Sequence, residues 1–252
     1  MTGRSKLDPK PGSLGLTVKN FEAFYKTTSG NYLSNEIENL LIRSWSEADI
    51  ARCHTLCLGY PPPGLKAVSS KAASFALFTP AFLGPKKMIK NGKNYSAMGD
   101  ETHLPLHPGS YDRALIFHAL EYMEDPVSFL EEVWKVLSPG GRVFMMVPNK
   151  KGAWRKSGIP TTAATTGFLF REIKTLLKEK GFTITGNFGA SYGLPVDFFG
   201  TVLFSGLLKT LSGGGSVGFP GFLIFEAEKH TTPATCRPTP AYRTSPAKPV
   251  VS

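Results

Sequence analysis

The sequence has little cysteine, little acid and no long unbroken apolar run, and each shortage removes a class of protein. Cys53, Cys57 and Cys236 are its three cysteines, an odd number without the paired spacing of a zinc site or a disulfide framework. Met1 to Gly15 is polar and rich in Lys, Pro and Gly, with no apolar core of a secretory leader. Reduced thiols and a cytoplasmic location are the expectation. The longest apolar stretch, Val196 to Leu208, is broken by Asp197, glycines and Ser205 and falls short of the roughly 20 residues a membrane span needs, so no membrane insertion is expected. Acid is outnumbered, 19 Asp+Glu against 29 Lys+Arg, and the net charge of +10 could attract nucleic acid, anionic lipid or an acidic substrate. The basic residues are scattered in ones and twos, as in Lys86-Lys87, Lys150-Lys151 and Arg155-Lys156, which argues for general surface charge rather than a nucleic-acid site. A Gly-x-Gly-x-x-Gly loop is also missing, which speaks against a dinucleotide oxidoreductase.

What is present is enough for one core. A chain of 252 residues with 41% hydrophobic and 19% charged residues is an ordinary globular composition. Residues 1–17 read as a loose lead-in and 230–252 as a Pro- and Thr-rich basic tail, leaving one domain over 18–229. Asn35 to Trp45 places Ile37, Leu40, Leu41 and Trp45 on one helical face, with Ser34 or Asn35 as cap. Thr55 to Gly59 and Ser74 to Phe78 have the length of buried parallel strands. Between them Pro61-Pro62-Pro63 removes three backbone donors, so any helix starts after it. Arg113 to Phe117 is a strand run. Asp125-Pro126 then starts a helix whose apolar stripe is Val127, Leu130, Val133, Trp134 and Leu137, and Pro139-Gly140-Gly141 stops it before a strand over Val143 to Val147. A helix over Phe168 to Lys180 ends at Gly181, and strands over Phe182 to Phe188 and Phe222 to Glu228 flank an irregular stretch containing Gly213-Gly214-Gly215. Alternation of this kind predicts an α/β fold, a mostly parallel sheet with helices on both faces.

Leu104-Pro105-Leu106, Tyr111-Asp112, His118-Ala119-Leu120-Glu121, Asp125-Pro126 and Leu137-Ser138-Pro139-Gly140-Gly141 occur in this order over about 50 residues. Together they resemble the second half of a class I S-adenosylmethionine-dependent methyltransferase of the type 11 kind. The segment Phe24-Tyr25-Lys26-Thr27-Thr28-Ser29-Gly30 and the strand end Leu58-Gly59-Tyr60 resemble a bacterial subgroup with a degenerate glycine loop. The resemblance covers about 21–228. It implies a Rossmann-like doubly wound sheet of seven strands, the last antiparallel, with S-adenosylmethionine lying across the carboxyl ends of the first strands, where open α/β sheets hold ligands.

Residue by residue, the resemblance assigns a cofactor site that departs from the family pattern. Of the family's glycine-rich first loop only Gly59 and Gly64 remain, and Tyr60 to Pro63 offers a single N–H, so Gly59, Tyr60 and Gly64 would hold the cofactor. The family's ribose-binding acid is replaced by Thr79, which can make one such bond at most. Asp100 and Glu101 stand at the family's adenine-binding acidic turn, and His118 at the floor of the methyl-donor pocket. Sulfonium transfer is an in-line displacement that requires no base in principle, so no catalytic residue is assigned; His118 and Glu121 are the nearest ionisable groups if an acceptor must lose a proton. Two readings follow: methyl transfer to an unidentified acceptor, or a catalytically silent relative that serves as a binding or scaffolding protein. The sequence assigns no metal and leaves the oligomeric state open.

Overall fold

A computed structural model describes residues 17–152, 154, 167–190 and 220–230. The lead-in, the tail, Val196 to Leu208 and the triple-glycine stretch lie outside them, as does Cys236.

Helices α1 (Val18–Tyr25), α2 (Thr28–Ser44) and α3 (Glu47–Arg52) precede strand β1 (His54–Gly59). A single 3-10 turn over Pro63–Leu65 leads into α4 (Lys66–Lys71) and β2 (Ser74–Pro80). The hairpin β3 (Ile89–Lys90) and β4 (Lys93–Asn94) precedes β5 (Ser96–Gly99). Then come β6 (Tyr111–Phe117), α5 (Pro126–Val136), β7 (Leu137–Pro148), α6 (Phe170–Glu179), β8 (Phe182–Ala190) and β9 (Phe222–Lys229). Seven strands form one sheet in the order β5-β2-β1-β6-β7-β9-β8, in which only β9 runs against the rest. This is the α/β architecture that the alternation of strands and helices predicts.

Period-two alternation divides the core. Cys57, Leu77, Leu115, Phe117, Phe144 and Met146 face a cluster under α1, α2 and α4. Leu56, Leu58, Phe78, Ile116, Met145 and Val147 face the opposite cluster under α5 and α6. With both faces covered, the central strands carry near-continuous apolar runs.

Several expectations need correction. The first long helix begins at Thr28 rather than Asn35: Thr27 is its N-cap, accepting from the Gly30 N–H at 3.1 Å. Ser34 is no cap but a buried mid-helix residue whose hydroxyl accepts from the Gly64 N–H at 2.7 Å. In α5 the expected Leu130 and Val133 are buried and Trp134 packs beside them, while Leu137 is buried as the first residue of β7; Phe129 and Val136 complete the stripe, and Val127 is exposed. Asp125 does cap α5, accepting from the N–H groups of Val127 and Ser128 at 3.0 Å each. Helix α1, the short α3 and the β3–β4 hairpin were not expected at all.

Candidate functional site

The carboxyl ends of β1, β2, β5 and β6 meet where an open α/β sheet offers a crevice. Gly59 closes β1 with φ of +93°, and a Cβ there would lie 2.1 Å from the Phe117 carbonyl oxygen. Glycine is therefore required for β1 and β6 to end side by side. The Tyr60 N–H donates to that same carbonyl at 2.8 Å, and the Gly64 N–H is taken by Ser34. A Cβ on Gly64 would lie 2.8 Å from the Ser34 carbonyl oxygen, so this glycine serves the approach of α2. Of the three prolines Pro62 is buried, Pro61 half-buried and Pro63 exposed.

His118 follows β6 directly and is fully buried, with φ of 50°. A left-handed backbone at a non-glycine residue costs on the order of 1–3 kcal/mol and persists where the surroundings fix it. The surroundings here are aromatic. The Phe21 ring lies 4.7 Å from the imidazole, and the Tyr25, Tyr60 and Phe222 rings lie at 5.7, 6.4 and 6.4 Å. The Tyr25 hydroxyl is 2.7 Å from His118 Nε2. On the other side His118 Nδ1 faces Glu121 Oε1 at 3.5 Å, and Glu121 lies in the turn that follows β6.

Glu121 and His118 Nδ1 are buried polar groups without a hydrogen-bond partner, and both carboxylate oxygens share that state. An unsatisfied buried polar atom costs about 1–3 kcal/mol, so such groups call for a reason such as a ligand. With Glu121 beside Nδ1, the tautomer protonated there leaves Nε2 to accept from the Tyr25 hydroxyl. Burial, then the neighbouring Tyr60 and Glu121, pushes the Tyr25 phenol well above its ordinary value. Burial likewise pushes Tyr60 up to about 12, with Glu22 adding to it.

The remaining sequence-assigned residues lie around the rim. Thr79 is buried near the end of β2, its hydroxyl donating to the Ala97 carbonyl at 3.4 Å. Asp100, just past β5, is exposed and accepts from the N–H and hydroxyl of Thr102 at 2.8 and 2.7 Å. The Thr102 hydroxyl above all, then its N–H, holds the Asp100 carboxyl below its ordinary range. Glu101 is half-buried. The fold thus brings Gly59, Tyr60 and His118 into contact at the β1–β6 ends, and leaves Thr79, Asp100 and Glu101 at the β2–β5 ends. Sequence reasoning left Phe21 and Tyr25 out of the site: Tyr25 lies in the element over 24–30 without a role given to it there, and Phe21 carries only the signal of any core helix. Among the described residues no group of three or more His, Cys, Asp or Glu could hold a metal ion, and no helix is long and apolar enough to cross a membrane.

The methyltransferase domain family matches residues 84–145. A ubiquinone biosynthesis O-methyltransferase of Pectobacterium carotovorum is 37% identical over 62 residues, 24% of this chain and 26% of the relative. Its counterpart in Sodalis glossinidius is 36% identical over 55 residues, 21% and 22% of the two chains. The chain therefore matches about a quarter of the length of these curated relatives. Among solved structures, a S-adenosylmethionine-dependent methyltransferase of Thermotoga maritima, described as a possible histamine N-methyltransferase, superposes with a TM-score of 0.56 at 12% identity, covering 84% of this chain and 96% of that one. One from Archaeoglobus fulgidus gives 0.55 at 15% identity, covering 78% and 94%, and one from Mesorhizobium loti 0.51 at 18%, covering 78% and 99%.

Proposed function

We propose that this chain, which carries the class I S-adenosylmethionine-dependent methyltransferase fold, binds S-adenosylmethionine at the strand-end crevice and transfers its methyl group to a hydroxyl oxygen of a small acceptor. The observation that carries the reading is the orphaned pair at the end of β6, the Glu121 carboxylate and His118 Nδ1, buried without partners beside the one bend where β1 admits only glycine. The residues fit the cofactor in kind. Glu121 offers an anion for its ammonium group and Asp100 an acceptor for an exocyclic amine, Gly59 turns the chain at the end of β1, and Thr79 offers a weaker ribose contact than a carboxylate. When bound, the cofactor supplies an electrophilic methyl on a sulfonium.

The oxygen acceptor follows from the O-methyltransferase relatives, and from a chain of groups suited to taking a proton from a hydroxyl. Tyr25 Oη accepts the acceptor's proton as its own passes to His118 Nε2, and Glu121 stabilises the resulting imidazolium through Nδ1. The raised Tyr25 phenol stays protonated between turnovers, so it relays a proton without storing charge. The chain is expected to work in the cytoplasm, with Gly59, Tyr60, Gly64, Thr79, Asp100, Glu101 and His118 around the cofactor.

Calorimetric titration with S-adenosylhomocysteine tests this. Glu121→Gln is expected to weaken binding at least tenfold, the scale of a lost charge-assisted bond. The unliganded melting temperature should change little, because Gln keeps the shape of the side chain and an acceptor oxygen facing His118 Nδ1, a long contact of 3.5 Å. No binding by the unmodified chain at millimolar cofactor, or full binding by the variant, would overturn the proposal.

A further inference from the structure

A hollow lies on the α4 face of the sheet, beside β2, and a ligand there would not depend on methyl transfer. Parallel strands are ordinarily joined by a helix that covers one face of the sheet. The connection from β2 to β5 contains no helix, only the β3–β4 hairpin, and it leaves a cleft of about 300 Å3. Its floor is apolar, with Phe75 and Leu77 from β2, while Lys66, Lys86, Lys87 and Lys90 stand around it. No Asp or Glu lines it.

Among the described residues, three of these four lysines have no acidic partner. Lys86 pairs with Glu22 at 2.7 Å, but among the described residues Lys66, Lys87 and Lys90 meet no carboxylate within ion-pair distance. The whole stretch from Ala81 to Gly99 has four lysines and no acid. Cations converging on one concave surface repel each other and raise the local concentration of anions. Lysine serves a multi-oxygen anion as a set of point charges, without the planar fork that favours carboxylate. The apolar floor adds room for a ring or a short alkyl group below the charged rim.

We propose that this cleft is a binding site for a small organic phosphate, its phosphate held by Lys66, Lys87 and Lys90 and its apolar body lying on Phe75 and Leu77. The cleft adjoins the strand-end residues: Pro61 lines it, and Lys86 on its rim holds its ammonium 5.0 Å over the Tyr60 ring.

Phenyl phosphate is the probe, titrated into the full chain at low ionic strength and followed by calorimetry. It is expected to bind at least tenfold more tightly than inorganic phosphate or phenol alone. The double variant Lys87→Gln/Lys90→Gln is expected to lose at least tenfold in affinity. Lys174→Gln, an exposed substitution on α6, should leave it unchanged. Saturating S-adenosylhomocysteine should also leave it unchanged. Equal binding of inorganic phosphate would remove the apolar half of the site. Undiminished affinity in the double variant, an equal loss in Lys174→Gln, or displacement by S-adenosylhomocysteine would each overturn the proposal. Because the probe carries no part of the cofactor, failure here leaves the methyl-transfer reading where it stands.

Discussion

Two connections in the sheet solve the same problem differently. Strand β6 reaches β7 through α5, an eleven-residue helix that buries Phe129, Leu130, Val133 and Val136. Strand β2 reaches β5 through a hairpin of two-residue strands whose ladder residues are all exposed. The first connection covers a sheet face and is tied at its start by the Asp125 cap. The second leaves that face partly open, and Gly84 and Gly92 bend it at positive φ with no heavy atom within 4 Å of where a Cβ would lie. A connector packed on the sheet contributes to the core; one that spans a gap leaves room for a ligand.

That contrast can be broken by measurement. The largest effect is expected at Phe129, fully buried, where Phe129→Ala should cost about 3–5 kcal/mol in chemical denaturation. Ile89→Ala in the hairpin, at a residue 66% exposed, should change stability by no more than about 0.5 kcal/mol. A comparable cost at both positions would mean that the hairpin is packed as firmly as α5. A smaller effect sharpens the comparison at the cap: Asp125→Ala should lose about 1 kcal/mol, because the first amides of α5 lose their acceptor.

The smallest effect is one of pH. The Ser128 hydroxyl first, and its N–H next, hold the Asp125 carboxyl below its ordinary range. A lowered folded value stabilises the folded state above the unfolded value of about 3.9, and that contribution disappears as pH falls through the lowered folded value. Amide protection in α5, corrected for intrinsic exchange, should therefore hold from neutral pH to about 4 and decline below it. The hairpin contains no carboxylate and should show no step of its own there. A hairpin transition matching that of α5 would point to global acid unfolding instead.

The legibility of the chain follows the same division. Asp125-Pro126 and Pro139-Gly140-Gly141 marked α5 and its exit because caps and stops act within a few residues of themselves. Periodicity in α5 finds Leu130 and Val133 but includes the exposed Val127 and leaves out Phe129 and Val136, since it fixes the presence of a face better than its edges. Gly59 could be read as special from its place at a strand end. Gly64 packs against Ser34, thirty residues earlier in the chain, a contact that no local pattern shows. Nothing local announced that Phe21 and Tyr25 would close over His118, or that Glu121 would be buried beside it.

The sequence by itself therefore determined the alternation of strands and helices, the parallel sheet and the order of motifs along it, because these depend on periodicity and on caps and turns a few residues long. The tertiary structure alone decided which polar atoms were stripped of partners and which lysines were gathered around one hollow. Burial and charge convergence are properties of neighbours distant in the chain, and they exist only once the sheet has brought those segments together.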